Sequence, residues 1–319
     1  MFWRSSLLVV LIFVGACRSR EEATAPASIT VVEKADYAHP ESLIEAGELL
    51  ALWEHEHIRI IDFREREAFE QEHIPNALPM WRGDIEDKQH HVPGMMASKS
   101  EMEKLLSHLG LSASDTLILY DDQAGVNAAR LWWVLRTYGF NQVRLLNGGL
   151  HSWKDARGPL GSEWEKLPAN RFKFPPEEAL HLRIDKDNLA SLMTGEEWTL
   201  IDARTAEEHS GNRMKKGAQN AGHIPGSVHI DWADAVDYHG TKKFLPPEEL
   251  QVAYRELPED RDAPVVVYCH SGVRSAHTSF VLTQLLGYNR VYNYDGSWLE
   301  WSSLEGVPID KDSTTLILQ

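Results

Sequence analysis

The sequence has few cysteines and no cluster of basic residues. Its 319 residues include two cysteines, Cys17 and Cys269, which excludes a framework of several stabilising disulfides. The formal net charge is −16, and no run of Lys and Arg stands out. We therefore expect no nucleic-acid partner. In so acidic a protein, an anionic substrate needs a locally positive pocket.

Long hydrophobic runs are also lacking. The apolar stretch Leu7–Val14 is too short to cross a bilayer as a helix, and it follows Arg4 as the apolar part of a secretory signal does. It ends in Val-Gly-Ala-Cys17, which resembles the lipobox of bacterial lipoproteins. The alternatives are an uncleaved anchor and a plain signal with a chance cysteine.

The lipobox resemblance predicts a signal peptide over residues 1–17 and a polar tether over 18–44. Lipid on Cys17 would anchor an exported bacterial protein to a membrane, facing the periplasm or the cell exterior. Cys269 would then be the one free thiol of the mature chain, with no partner for a disulfide. An unpaired cysteine in an exported protein favours a reactive thiol.

The rest of the chain is an internal repeat. "IRIIDFREREAFEQEHIPNA" and "WTLIDARTAEEHSGNRMKKGAQNAGHIPGS" share an apolar strand ending in Asp, an Arg two residues later, and His-Ile-Pro: Asp62, Arg64 and His73, then Asp202, Arg204 and His223. Downstream, Tyr120 to Asn147 and Tyr268 to Asp295 span equal lengths of sequence. This agreement predicts two copies of one fold, over 45–157 and 179–319, joined by a linker over 158–178.

Each copy alternates short apolar strands with amphipathic segments. Leu131, Val134, Leu135 and Tyr138 recur with helical spacing in the first copy, and Thr278, Val281, Leu282 and Leu285 do so in the second. Alternating strands and helices predict an α/β fold in which each domain has a mostly parallel sheet flanked by helices on both faces. Ligands of such sheets bind at the carboxyl ends of strands, where Cys269 is expected.

The segment Cys269–Arg274 has the composition of an anion-binding loop. It runs from an apolar strand into a helix, and Gly272 supplies backbone freedom. Backbone N–H groups in such a loop bind anions and lower the pKa of a thiol. Arg274 adds a fixed positive charge. The loop therefore favours a nucleophilic Cys269, with a buried structural cysteine as the alternative.

These motifs together resemble the tandem-domain rhodaneses, which are thiosulfate or 3-mercaptopyruvate sulfurtransferases. The resemblance covers roughly residues 45 to 305 and is carried by Asp202-Ala-Arg204, Gly222-His-Ile-Pro-Gly226, Cys269-His-Ser-Gly-Val-Arg274 and Asp295-Gly-Ser-Trp-Leu-Glu-Trp301, with "YDDQAGVNAARLWW" and "NGGLHSW" in the first copy. It implies a cleft between the domains. Because Asp121 stands where the second copy has Cys269, it also implies a silent first domain.

The resemblance further implies the chemistry and the site. Cys269 would take a sulfane sulfur from a donor such as thiosulfate, form a persulfide, and pass the sulfur to cyanide or a thiol, with no metal or organic cofactor. The implied substrate-binding residues are His270, Ser271, Gly272, Val273, Arg274 and Arg204, and the implied structural supports are Asp202 and Ser275.

Charged residues in and near the loop indicate which donor is used. Mercaptopyruvate enzymes tend to have a neutral loop, and by an ungapped count from Arg204 they carry an Arg where this chain has Glu208. The charged Arg274 in this loop and the acidic Glu208 both depart from that pattern, and both favour thiosulfate. Two alternatives remain open: a 3-mercaptopyruvate sulfurtransferase and a non-enzymatic persulfide carrier or sensor.

Two other functions receive less support. Phosphatases with a Cys–Arg loop need a longer loop than the four residues, 270–273, between Cys269 and Arg274. The groups His55-Glu56-His57 and His90-His91 fit no common metal-site spacing and have no cysteine beside them. We expect no metal site.

Overall fold

The computed structural model describes residues 36–179, 182–192 and 198–312. The first half forms a five-stranded parallel sheet in the order β1-β5-β4-β2-β3. Its strands are β1 (Leu43–Ile44), β2 (Ile58–Asp62), β3 (Leu78–Pro79), β4 (Thr116–Tyr120) and β5 (Val143–Leu146). Its helices are α1 (Ala46–Leu50), α2 (Arg66–Gln71), α3 (Lys99–His108), α4 (Val126–Thr137) and α5 (Gly149–Asp155), with a 3-10 turn at Arg82–Asp84.

The second half repeats this arrangement in the order β6-β10-β9-β7-β8. Its strands are β6 (Arg183–Ile184), β7 (Thr199–Asp202), β8 (Val228–His229), β9 (Val265–Tyr268) and β10 (Val291–Tyr294). Its helices are α6 (Lys186–Leu192), α7 (Ala206–His209), α8 (Pro247–Ala253), α9 (Val273–Phe280) and α10 (Ser297–Trp301), with a 3-10 turn at Trp232–Ala235.

The predicted fold class is confirmed: each repeat is a parallel sheet flanked by helices. The central strands β4 and β9 explain why. All four residues of β9 are buried, and four of the five in β4 are, so these strands are covered on both faces. A short run of buried apolar residues is typical of a central parallel strand between two helical layers.

Helices α4 and α9 pack against each other and join the two repeats. Trp132 of α4 meets Phe280 of α9 edge to face, with ring centroids 4.9 Å apart. One continuous apolar cluster contains residues from both repeats, including these two rings. The loop that follows β9 therefore opens beside the first repeat.

The predicted tether and linker are more ordered than their composition indicates. Leu43 and Ile44, at the end of the predicted tether, form strand β1, and the backbone N–H of Ala38 donates to the Leu285 carbonyl at 3.0 Å. In the predicted linker, Phe172 and Phe174 are buried against the first repeat. These apolar side chains hold both segments against the folded domains.

The predictions for the leader concern residues that the structure does not describe. Cys17 and the segment 1–35 lie outside the described ranges. Within those ranges, no helix combines the length and the apolar character needed to cross a bilayer.

The loop before α9 is one residue shorter than the loop before α4, and the helical segment that follows it is one residue longer. Gly125 is the N-cap of α4 and follows Asp121 by four residues, whereas Gly272 is the N-cap of α9 and follows Cys269 by three residues. The extra residue of the second repeat lies in a π-helical turn, Val281–Leu285, directly after α9. The equal spacing seen in the sequence thus hides two compensating changes. The shorter loop belongs to the copy that holds the thiol.

Candidate active site

Cys269 follows the buried strand β9 and precedes α9, as predicted. Its side chain is 1% exposed. The Ser297 hydroxyl accepts hydrogen bonds from the N–H groups of Cys269 at 3.2 Å and Gly272 at 3.1 Å, which holds the two ends of the loop together. Gly272 has φ 77°, and a Cβ there would lie 2.9 Å from the Asp295 carbonyl oxygen, so glycine is required.

The environment of the thiol favours the thiolate. Burial raises the pKa of Cys269, but the positive charge of Arg274 and hydrogen bonds from Ser275 and Ser271 outweigh burial and lower it below the usual value. The Ser275 hydroxyl lies 3.5 Å from Sγ and donates to it, and the backbone N–H groups of Ser271 and Ser275 also donate. This is the nest of donors that stabilises an anionic sulfur.

Arg274 forms a bidentate ion pair with Glu208. Its guanidinium donates to both carboxylate oxygens, at 2.6 and 2.9 Å, and Glu208 is 4% exposed at its side chain. Glu208 is held in place as the third residue of a capping box, in which the Thr205 hydroxyl accepts from the Glu208 N–H at 3.4 Å. Part of the charge of Arg274 is therefore already balanced by the protein.

His270 is buried and anchored to backbone. Its Nε2 donates to the Lys216 carbonyl at 3.2 Å. Burial, aided by the positive charges of Lys215 and Arg274, lowers the pKa of His270 to about 4. The ring is therefore neutral near neutral pH and adds no charge for an anionic donor.

Two further cations act on the thiolate. Arg82, in the 3-10 turn of the first repeat, is electrostatically coupled to Cys269, and burial lowers its pKa. Lys215, in the segment before the second His-Ile-Pro motif, is exposed and is also coupled to Cys269. Neither Lys215 nor Arg82 is among the site residues predicted from the sequence. Only folding brings the first repeat to the thiol.

Arg204 lies in an internal network. It is 2% exposed, its Nε and Nη2 donate to the Asp202 carboxylate at 2.8 and 2.6 Å, and Nη2 also donates to the Gly222 carbonyl at 2.7 Å. Asp202 additionally accepts from the Tyr268 hydroxyl at 2.9 Å. Through these bonds Arg204 supports the backbone around the site. Its contact with substrate stays a prediction.

Arg130 links the first repeat to the thiol loop. Its Nη2 lies 2.6 Å from an Asp295 carboxylate oxygen, and its Nη1 donates to the Gly272 carbonyl at 3.3 Å. The other Asp295 oxygen accepts from the Met96 N–H at 3.0 Å. Arg130 and Asp295 are both buried, so the first repeat forms part of the support of the loop.

The first repeat has an equivalent nest that is already filled. The carboxylate of Asp121 accepts four backbone N–H bonds at 2.7–3.0 Å, from Gln123, Gly125, Asn127 and Ala128. Burial raises the pKa of Asp121 although these donors lower it. The carboxylate occupies the nest, and no thiol is present there to carry sulfur.

Comparison with known proteins matches this architecture. The model of the rhodanese-like domain matches residues 45–156 and again 185–304. The chain belongs to the rhodanese-like domain family. The sulfur carrier protein TtuD of Thermus thermophilus is 36% identical over 285 residues, covering 86% of this chain and 98% of the relative. A putative thiosulfate sulfurtransferase of Saccharopolyspora erythraea is 36% identical over 250 residues, covering 76% and 86%.

Solved structures share this rhodanese architecture. The Tum1 protein of Saccharomyces cerevisiae superposes with a TM-score of 0.73 at 24% identity, covering 85% of this chain and 98% of that one. A variant of EanB in complex with ergothioneine gives 0.73 at 22% identity, covering 86% and 70%. At these identities the likeness concerns the fold.

The rhodanese site thus brings together most of the residues singled out from the sequence. Cys269, Ser271, Gly272, Arg274 and Ser275 all belong to the nest around the thiol. Val273 is the first residue of α9 and is buried. Arg82 and Arg130 were missed, although Arg130 lies within the quoted first-repeat motif. Sequence order could not predict that they lie near the thiol, because both belong to the first repeat and the thiol belongs to the second.

Proposed function

We propose that this chain is a thiosulfate sulfurtransferase that works through a persulfide on Cys269. The Cys269 thiolate attacks the outer sulfur of thiosulfate, the S–S bond of the donor breaks, and sulfite leaves with the bonding electrons. The outer sulfur of the persulfide is then taken by cyanide or a thiolate acceptor, which restores the Cys269 thiolate. Both half-reactions balance without a metal or redox cofactor.

The observation that carries the proposal is the thiol in its nest of donors. The pKa of Cys269 is lowered although the side chain is buried, so the reactive thiolate is favoured over that of an ordinary cysteine, in a site shielded from water. The nest of the first repeat is the internal comparison, since its donors hold the anionic oxygens of Asp121. Donors of the same kind around Cys269 would stabilise a persulfide and the charge that develops during transfer.

The charges around the loop favour a small dianionic donor. Arg274, Arg82 and Lys215 all act on the Cys269 thiolate, in a chain of net charge −16. Their combined field would collect thiosulfate at the loop.

The same ion pairs argue against 3-mercaptopyruvate. That donor carries a carboxylate, which a guanidinium binds best through two parallel N–H bonds. Here one such edge of Arg274, formed by Nη1 and Nη2, is taken by Glu208. Thiosulfate, with no carboxylate to place, makes no such demand.

The test is a panel of donors offered to the purified protein. Sulfite and thiocyanate release would report thiosulfate use, and pyruvate release would report 3-mercaptopyruvate use. We expect sulfite and thiocyanate from thiosulfate, and mass spectrometry should find one added sulfur on Cys269. The Cys269→Ser variant should show neither turnover nor added sulfur. If the wild type gains sulfur from neither donor, the proposed function is wrong.

A second candidate is a persulfide carrier that delivers sulfur to a protein partner. The relative named as a sulfur carrier protein, at 36% identity over 98% of its length, favours it. The same donor panel separates the two functions. A carrier would hold a stable persulfide and release almost no thiocyanate, whereas an enzyme would release thiocyanate over many turnovers.

We also propose that the protein is exported and anchored by lipid on Cys17. The motive is the signal ending in Val-Gly-Ala-Cys17. The predicted membrane partner and periplasmic or extracellular location rest on this motif.

A further inference from the structure

The second repeat has a surface segment beside the thiol loop that the first repeat lacks. Nineteen positions separate Arg204 from His223, whereas nine separate Arg64 from His73, so the second repeat holds ten extra residues before its His-Ile-Pro motif. These residues lie between α7 and the motif and form neither helix nor strand. The insertion belongs to the copy that carries the thiol, and the packing of the shared fold does not require it.

The inserted segment is basic in an acidic chain. Residues 210–222 contain no Asp or Glu, although the chain has 48 acidic residues among 319. Four exposed residues in a row, which we call the cationic strip, include three cations: Arg213, Met214, Lys215 and Lys216. Within the described part of the chain, none of these three cations forms a salt bridge. Their charge is therefore available to a partner.

The backbone of the cationic strip is held in place although its side chains are exposed. The Arg213 N–H donates to the Glu207 carbonyl at 2.8 Å, and the Lys216 carbonyl accepts from the buried ring of His270 at 3.2 Å. Because His270 directly follows Cys269, the second bond also ties the strip to the thiol loop. A surface whose backbone is already ordered loses less conformational entropy when it binds a partner.

The cationic strip lies within electrostatic range of the sulfur. Lys215 is coupled to the Cys269 thiolate, and also to Arg274 and to Arg82 of the first repeat. Cys269 is 1% exposed, so an acceptor must bring its thiol into the site while the rest of the acceptor stays at the surface. For a protein acceptor, the strip is part of that surface.

We propose that the cationic strip docks an acidic protein whose thiol accepts the sulfur from Cys269. This inference rests on the proposed persulfide and adds the class of the acceptor. The acceptor thiolate attacks the outer sulfur, the S–S bond of the persulfide breaks, and the Cys269 thiolate leaves with the bonding electrons. The acceptor leaves as a persulfide, so the step needs no redox cofactor.

Charge complementarity favours this partner. A chain of net charge −16 repels an acidic protein, and the strip reverses that repulsion beside the thiol. Arg and Met are enriched in protein interfaces, and Met214, which is 58% exposed, offers an apolar contact within the strip. Cyanide is too small to contact the strip and the sulfur together, so it gains little from these residues.

The experiment follows the discharge of the persulfide by model acceptors. The entire chain with Cys17→Ser is loaded with thiosulfate, freed of excess donor and mixed with one acceptor at low salt. The acceptors are a short peptide with one Cys between two runs of Glu, the same peptide with Gln in place of Glu, and cyanide. Each variant is compared with the parent for the same acceptor, so differences in reactivity between the acceptors cancel.

The variants change charge inside and outside the cationic strip by the same amount. The test variant combines Arg213→Gln with Lys216→Gln. Lys215 stays unchanged because it acts on the thiolate. The matched control combines Lys154→Gln with Lys173→Gln, which removes two exposed lysines outside the strip.

We expect the test variant to lose about ten-fold in rate constant with the acidic peptide, and less than about two-fold with the Gln peptide and with cyanide. The control should match the parent with all three acceptors. Added salt should bring the parent down to the rate of the test variant, because salt screens exposed charges. The proposal is overturned if the test variant discharges to the acidic peptide as quickly as the parent, if the control slows equally, or if all three acceptors slow by the same factor.

Failure of the proposed function is read separately, from the loading step. If thiosulfate adds no sulfur to Cys269, the proposed function is wrong, and docking is then tested by binding alone. A fluorescent acidic peptide with Ser in place of Cys is titrated into the parent and both double variants. Weaker binding by the test variant alone supports the docking surface. Equal binding by all three, or binding by none, overturns it, as does strip-dependent binding to phosphatidylglycerol vesicles without binding to the peptide.

Discussion

The guanidinium of Arg274 is divided between two anions: it donates to both oxygens of Glu208, at 2.6 and 2.9 Å, and its charge lowers the pKa of the Cys269 thiol. Burial raises the pKa of Glu208, but the pairing with Arg274 outweighs burial and lowers it to about 2. The carboxylate is therefore ionised throughout the neutral range. Glu208 thus reduces the positive field that the thiolate and an anionic donor experience.

Glu208→Gln should strengthen thiosulfate binding. Removing the carboxylate leaves the charge of Arg274 facing the thiolate alone, so the pKa of Cys269 should fall further. The KM for thiosulfate should decrease about five-fold, which corresponds to roughly 1 kcal/mol for one charge pair. Steady-state kinetics and ultraviolet titration of the thiolate measure the two effects. Glu207→Gln, at an exposed neighbouring position, should change neither, and an increase in KM for Glu208→Gln would contradict the prediction.

Arg274→Ala should change the pH dependence as well as the rate. Since Arg274 lowers the pKa of Cys269, its loss raises that pKa, and the acid limb of the kcat/KM profile should move to higher pH. At neutral pH the loss should be about 2–4 kcal/mol of transition-state stabilisation. Arg274→Lys should recover part of it, since an ammonium lacks the fork.

A control is needed because Arg274→Ala leaves Glu208 beside the thiol without its partner. The double variant Arg274→Ala with Glu208→Gln removes both charges. It should retain the shift of the acid limb in part and regain some activity. An unshifted profile in both variants would show that Arg274 does not act on the thiolate.

Arg82→Gln should weaken thiosulfate binding although Arg82 belongs to the first repeat, which is predicted to be catalytically silent. Its charge is coupled to the Cys269 thiolate across the two repeats. We expect the KM for thiosulfate to rise about five-fold, again roughly 1 kcal/mol. Arg66→Gln is the matched control, because Arg66 is exposed and pairs with Glu70 on the same helix. Equal kinetics for the two variants would show that Arg82 does not contribute to thiosulfate binding.

Asp121→Ala should lower stability and spare turnover. The substitution leaves four backbone N–H groups, two of them buried, without their acceptor, so the free energy of unfolding should fall by about 2–4 kcal/mol, as measured by urea denaturation. The kcat of the folded protein should stay near the wild-type value. Asp122→Ala, at the exposed neighbouring position, should leave stability almost unchanged. Loss of turnover in folded Asp121→Ala would give the first repeat a direct catalytic role.

Cys17→Ala should prevent lipidation. The wild type should incorporate labelled palmitate and sediment with membranes from a bacterial host. The variant should incorporate no label. Sulfur transfer by the two proteins should be the same, because the proposed thiol of transfer is Cys269. Equal labelling of both would refute the lipid anchor.

Much of the fold was available from the sequence because its signals are local. The buried strands β4 and β9 read as short apolar runs, and the helices that follow them show helical spacing. Each of these patterns occurs twice, once in each repeat. The ordered segments around β1 and Phe172 were not available, since a polar composition conceals the few apolar residues that dock.

The sequence by itself determined the candidate nucleophile and its loop, because Cys269, Gly272 and Arg274 lie within six consecutive positions where strand meets helix. The tertiary structure alone decided what surrounds that loop. Arg82 and Arg130 act on it from the other repeat. Glu208 forms an ion pair with Arg274, and Asp202 forms one with Arg204. Charges act through space, and the packing of α4 on α9 sets which charges are near the thiol. No local pattern in the chain specifies those distances.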